Sequence, residues 1–281
     1  MIRKFSLGIL ATTLIVLAFW GHHMRQDVKR TSLSTKLDQI VGVTNEPSLD
    51  CAHIATQNPL VILALGQSNA ANHGERTYTP GVPVVLFTNG KCIIATDPLP
   101  GSTGSGGSIW SHLPRYLKTP DPKRPLVLSV MGIDATTVSE WTDNRSPLAR
   151  RLTAHVKSMK ANNLLPQVVL WQQGEADARL GTSAQAYGAG LNKLSGILTQ
   201  AGSEAPIIAA FSTVCRSAPN ATIRSAVKAM AQTNDRFKVG PDTDALTNII
   251  MRFDGCHFST AGLDRAAQLW AGDLNILFVS I

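Results

Sequence analysis

Five apolar residues in a row, Val61 to Leu65, stand between Pro59 and Gly66, a length that predicts a short strand buried on both faces. Comparable runs follow at Val82–Phe87, Cys92–Ala95, Pro125–Met131, Gln167–Trp171 and Pro206–Phe211. Asn89-Gly90, between the second run and the third, is a turn signal. Elsewhere the apolar spacing becomes helical, over Ile109–Leu117, Leu148–Met159, Ala184–Gln200, Ala221–Thr233 and Thr260–Leu277. Ser259 or Thr260 is placed to cap the last of these. Continuous apolar strands alternating with helices predict an α/β domain, its parallel sheet covered on both faces.

The first strand stops at Gly66-Gln67-Ser68-Asn69. Gly66 can take backbone angles closed to other residues, which suits a tight turn. A serine at the end of a buried parallel strand, before a helix, sits where open α/β sheets place their ligands. The N–H groups of that helix would favour developing negative charge. Taken alone, Ser68 is explained equally well as a helix cap. Residues further along the chain give it a second meaning.

Hydropathy also sets off the N-terminus. Arg3 and Lys4 precede an uncharged run of 17 residues, Phe5 to Gly21, and His22-His23-Met24-Arg25 follows it. The run is long for a signal-peptide core and short for a spanning helix. Bulky Leu17, Phe19 and Trp20 occupy the region where signal peptidase requires small residues. Residues 1–30 are therefore expected to be an uncleaved signal anchor, with a cleaved signal peptide as the alternative. Polar residues 31–58 are expected to link this module to a domain at 59–281. That places the domain outside the cytoplasm, tethered to the membrane or, if the segment is cleaved, secreted.

Composition narrows the rest. With 281 residues, 44% hydrophobic and 16% charged, the chain can build one sizeable core. Lysine and arginine exceed aspartate and glutamate by seven, but they are scattered, so nucleic acid is not an expected partner. Cys51, Cys92, Cys215 and Cys256 match no zinc-binding spacing and fit two disulfides in an exported protein. Gly101-Ser102-Thr103-Gly104-Ser105-Gly106-Gly107-Ser108 lacks the ending of a phosphate loop. It reads as a mobile loop or as a border of the active site.

Two further stretches carry chemistry. Asp254 and His257 stand three apart on a loop before the last helix. In that arrangement an imidazole accepts a serine proton while the carboxylate fixes its tautomer. Trp171-Gln172-Gln173-Gly174-Glu175-Ala176-Asp177 closes a buried strand, and a glutamine amide there can donate to an oxyanion without bringing charge. Glu175 and Asp177 suit the bracing of loops through backbone N–H groups, and Trp171 suits the core.

In this order, Gly66-Gln67-Ser68-Asn69, Trp171-Gln172-Gln173-Gly174-Glu175-Ala176-Asp177 and Asp254-Gly255-Cys256-His257 resemble the blocks of the SGNH-hydrolase superfamily. Within it they are most similar to the sialate O-acetylesterase and acetylxylan esterase branch, carbohydrate esterase family 6 and its relatives. The resemblance runs from about residue 59 to 278. It implies a flavodoxin-like three-layer α/β/α fold and serine esterase chemistry without metal or cofactor. It assigns Ser68 as nucleophile, His257 as base, Asp254 as its orienter and Gln173 as side-chain oxyanion donor. Ser68 and the first glycine of a Gly-Gly pair would add backbone N–H groups. Counting back from Trp141, Asp134 and Ala135 stand where those glycines belong, so the donor falls to Asp134 N–H unless the alignment shifts to Gly132. The Asp134 carboxylate would oppose an oxyanion unless it points away.

The expected activity is removal of acetyl groups from sugar hydroxyls. A glycan O-acetyltransferase and a weakly catalytic glycan-binding module are the alternatives. Under the implied fold, Cys215 follows the strand ending at Phe211, and Cys256 lies in the loop that must reach Ser68 at the same sheet edge. That pairs Cys215 with Cys256 and leaves Cys51 for Cys92, on the premise that the first two strands are neighbours.

Overall fold

The computed structural model describes residues 33–43, 47–118, 121 and 123–279. The apolar segment Phe5–Gly21 lies outside them, and among the described residues no helix is long and apolar enough to cross a membrane. Residues 33–38 are helical (α1), and the compact unit that carries the sheet spans Gln39–Ile281.

That unit is built on seven strands: β1 (Leu60–Gly66), β2 (Val85–Thr88), β3 (Lys91–Ile94), β4 (Leu126–Gly132), β5 (Val168–Gln172), β6 (Ile207–Phe211) and β7 (Phe237–Asp242). Their order is β3-β2-β4-β1-β5-β6-β7. All neighbours are parallel except β2 and β3, which form the hairpin expected at Asn89-Gly90. Both turn residues have positive φ, 49° and 74°, as a two-residue hairpin turn requires.

β1 is the central strand, and every residue in it is buried. Ile62, Ala64, Leu128, Val130, Leu170 and Ile208 face one core with Trp110 and Trp270. The residues between them face the other side, where the Trp171 indole donates to Tyr187 Oη at 3.1 Å. Both faces of these strands are thus covered, which is why they read as unbroken apolar runs. On the first face α3 (Ile109–His112) packs with α9 (Thr260–Val279). On the second, α4 (Val138–Thr142), α5 (Pro147–Ala161), α7 (Ala184–Ala201) and α8 (Ala221–Thr233) pack with one another.

Three findings differ from the sequence reading. β2 pairs with β4 rather than β1, so the first two strands are not neighbours as a flavodoxin-like order would make them. β7 has no continuous apolar run; its exposed edge residues Lys238 and Val239 hide it from a pattern search. Residues 39–43 and 47–58 belong to the unit that carries the sheet. Leu49 N–H donates to Cys92 O at 2.7 Å, Val41 exchanges backbone bonds with Gly101 and Ser102, and Cys51–Thr56 forms α2.

The disulfides join Cys51 to Cys92 and Cys215 to Cys256. The first forms although the strand-neighbour premise fails, because the segment before β1 crosses to the β3 edge at Leu49.

Candidate active site

β1 delivers Ser68 to the carboxyl edge of the sheet, beside the point where the later β4–β5 connection crosses from one side of β1 to the other. Gly66 makes the approach possible. Its φ is 149°, and a Cβ there would sit 2.0 Å from Gln172 O. A three-residue 3₁₀ turn, Ser68–Ala70, follows instead of the expected helix, and Gln67, not Ser68, is its cap. Ser68 therefore has neither a helix N-terminus behind it nor a capping duty. Its N–H, the first of the turn, falls outside the turn's own hydrogen bonds.

The loop before α9 presents the imidazole. Asp254 Oδ1 accepts from the backbone N–H groups of Cys256 and His257 at 2.8 and 2.7 Å, while Oδ2 accepts from His257 Nδ1 at 2.8 Å. Burial pushes the Asp254 carboxyl up, but these donors outweigh it and hold it at about 2. With Nδ1 committed, Nε2 is the nitrogen left for proton transfer. Beneath the loop lies Arg252, fully buried, whose guanidinium donates to the carbonyls of Leu246, Thr243 and Cys256.

Ser68 and His257 line one cavity of about 200 Å³, together with Gln67, Asp134, Ala135, Glu175, Arg179, Arg216 and the Cys215–Cys256 bridge. Gln173 is absent from that lining. It is wholly buried, and its Nε2 donates to Asp177 Oδ2 at 2.6 Å, Thr136 O at 2.9 Å and Gln67 Oε1 at 3.3 Å. An amide with its protons so committed has none left for an oxyanion. Asp134 N–H is likewise committed, to Thr103 Oγ1 at 2.9 Å, and Gly132 N–H goes to Ser102 Oγ at 2.9 Å. Neither backbone position serves as the expected donor. Ala135 lines the cavity in the left-handed region, at φ 48°, where the sequence comparison places a glycine.

Several contacts of the site were not expected from the sequence. Glu175 Oε1 accepts from Asn69 Nδ2 at 2.7 Å and Ser212 Oγ at 2.8 Å, whereas Oε2 is buried without a partner. Burial raises this carboxyl to about 7, against the pull of Asn69, its own backbone N–H, Arg252 and Ser212. Asn69 also donates to Cys256 O at 3.2 Å, tying the serine turn to the histidine loop. Asp177 braces a loop as expected, accepting from Val138 N–H at 2.8 Å. The glycine-rich stretch packs behind the cavity, where Thr103 Oγ1 accepts from Asp134 N–H. A Cβ on Gly104 would lie 2.4 Å from Asn72 O and 2.8 Å from the His73 ring, so that approach needs glycine. Asn69 and Glu175 stood inside blocks singled out by the sequence. His73 and Arg252 carried no signal of their own.

A doubly wound α/β sheet with a serine, an imidazole and a carboxylate gathered at its carboxyl edge defines a class of hydrolytic enzymes. The profile described as carbohydrate esterase, sialic acid-specific acetylesterase, matches residues 58–274, and the chain belongs to that family. It is a carboxylic ester hydrolase. No curated protein has a matching sequence. Among solved structures, a protein from Arabidopsis thaliana superposes with a TM-score of 0.59 at 18% identity, covering 79% of this chain and 98% of the other. Est24, a carbohydrate acetylesterase from Sinorhizobium meliloti, superposes with a TM-score of 0.50 at 14% identity, covering 78% and 99%. At these identities the likeness is one of fold.

Proposed function

We propose that the chain is a serine esterase that removes acetyl groups from carbohydrate hydroxyls, with Ser68, His257 and Asp254 as its triad. One observation carries the reading: Ser68 and His257 face the same cavity, and His257 Nδ1 is fixed on Asp254 at 2.8 Å. Ser68 Oγ attacks the acetyl carbonyl while His257 Nε2 takes its proton. The imidazolium then protonates the departing sugar oxygen, leaving an acetyl-serine. His257 next deprotonates a water that attacks this ester, and acetate leaves as the proton returns to Ser68.

The oxyanion is assigned to two donors, Ser68 N–H and the side-chain amide of Gln67. Gln67 Oε1 is held by Ala176 N–H at 3.0 Å and by Gln173 Nε2 at 3.3 Å. That grip fixes the amide plane and leaves its NH₂ end for the cavity Gln67 lines. Gln173, the donor expected from the sequence, would then act one step back by holding Gln67.

Arg179 lines the cavity and can meet the carboxylate of an acidic acetylated sugar, whereas Arg216 beside it pairs with Asp254 Oδ2 at 3.6 Å. The two disulfides fit an oxidising compartment outside the cytoplasm, with residues 1–30 as the exporting or anchoring segment and the esterase domain beyond. The test is acetate release by the purified protein from O-acetylated sialic acids and from acetylated xylo-oligosaccharides. The proposal expects hydrolysis of both, with lower KM for the acidic sugar. Absence of acetate release from every acetylated glycan would refute it.

A further inference from the structure

Beside the proposed triad lies a group of side chains that the ester chemistry leaves unused. His73 Nε2 is 3.1 Å from Thr103 Oγ1. That hydroxyl accepts Asp134 N–H at 2.9 Å and lies 3.4 Å from Gly132 O. With the His73 proton on Nε2, facing that oxygen, Nδ1 carries the lone pair. His257 is fixed in the opposite sense: Nδ1–H faces Asp254, and Nε2 holds the lone pair. The two rings stack with centroids 5.4 Å apart and planes 26° from parallel.

The Asp134 carboxylate completes the group. One ligand atom each from His73, Asp134 and His257 lie within 4.8 Å of one another. Two neutral imidazoles and one carboxylate are a donor set for a borderline cation such as Zn²⁺, with a fourth position left to solvent. Ca²⁺ and Mg²⁺, which take oxygen ligands, fit it poorly. Each imidazole already has the outer partner that metal-binding histidines use, Asp254 for His257 and Thr103 for His73. Ligands of a tetrahedral zinc stand roughly 3.4 Å apart, so binding draws the three side chains together through rotation about their own bonds.

We propose that His73, Asp134 and His257 form a transition-metal site, and that an ion such as Zn²⁺ bound there shuts the enzyme off reversibly. The metal takes the His257 lone pair that would otherwise receive the Ser68 proton. With His73 in the Nε2–H tautomer and His257 in the Nδ1–H tautomer, no proton has to leave for it to do so. The binding half stands on the geometry alone; the inhibitory half rests on His257 being the base.

Calorimetric titration with Zn²⁺, on untagged full-length protein, reads the first half, and acetate release with and without Zn²⁺ reads the second. Wild type and Ser68→Ala should each bind one equivalent with the same affinity, because Ser68 is not a ligand. His73→Gln and Asp134→Asn, checked for folding by circular dichroism, should bind about tenfold more weakly or worse. Zn²⁺ should suppress wild-type turnover, a chelator should restore it, and His73→Gln should need correspondingly more Zn²⁺. No stoichiometric uptake by wild type, or unchanged affinity in both folded variants, would overturn the site. Uptake without inhibition would overturn the shut-off. A wild type without esterase activity refutes the triad instead, and calorimetry still decides the site.

Discussion

Gln67 and Gln173 show how residue type and position separate. The sequence pointed to a glutamine amide as oxyanion donor and chose the one at the end of β5. In the structure that amide is saturated by Asp177, Thr136 and Gln67. The amide next to Ser68 is the one that lines the cavity. If Gln67 donates, Gln67→Leu should lower kcat about 10²- to 10³-fold with little change in KM, since the contact forms only as the oxyanion develops. Steady-state kinetics on an acetyl ester checks this, and an unchanged kcat would return the role to another donor. Asp134 is a second instance. Its carboxylate lines the same cavity as Ser68 and groups with the nitrogens of His73 and His257.

At the scale of elements, legibility followed burial. β1, β4, β5 and β6 are covered on both faces, and their apolar runs announced them. β7 lies at the sheet edge with Lys238 and Val239 exposed, so no run marks it. α4 and α6 (Glu175–Leu180) are too short to show a helical period. Helix α3 ends at His112, and the residues beyond it to Arg115 form a 3₁₀ turn around Pro114, which lacks the N–H that would continue an α-helix. The Asp254–His257 loop was legible as chemistry, yet what holds it was not. Asn69 reaches it from the far end of the chain, and Arg252, four residues before Cys256, holds it through backbone carbonyls that no side-chain pattern marks.

The two disulfides make different predictions despite closing loops of the same length, a separation of 41 residues each. Loop-closure entropy gives each about 3–4 kcal/mol. Cys215–Cys256 also clamps the loop that carries His257, whereas Cys51–Cys92 ties the entry segment to the far edge of the sheet. The paired Cys215→Ser, Cys256→Ser variant should lose turnover at temperatures where circular dichroism still shows it folded. The Cys51→Ser, Cys92→Ser pair should lose comparable stability and keep its kcat. Equal kcat losses in both would contradict this division.

For the molecule as a whole, the strand order was the least legible property. Local pattern gives strands but not their neighbours, and β4 intervenes between β1 and β2. The same long-range assembly buries Glu175 and couples stability to pH. Its carboxyl titrates near 7 when folded, above the ordinary value of 4.5. Between those values the folded state binds more protons than the unfolded one, so this group makes stability fall as pH rises from about 4.5 to 7. Asp254 has the opposite sign. Its folded value of about 2 gives stability present above the unfolded carboxylate range and lost only as pH falls toward 2. Denaturant unfolding of wild type and Glu175→Gln across pH 4.5 to 7 isolates the first term. The difference between the two proteins should shift against wild type by up to about 3 kcal/mol with rising pH. A difference independent of pH would show that Glu175 is already ionised in the folded state.

The central claim is that Ser68 is the nucleophile of an acetylesterase. Rapid quenching of the protein with an activated acetyl ester, followed by peptide mass mapping, tests it most directly. Acetyl should appear on the peptide containing Ser68 during turnover, and Ser68→Ala should carry none while losing about 10³-fold or more in kcat. Acetylation confined to another residue, or near-normal turnover by Ser68→Ala, would contradict it.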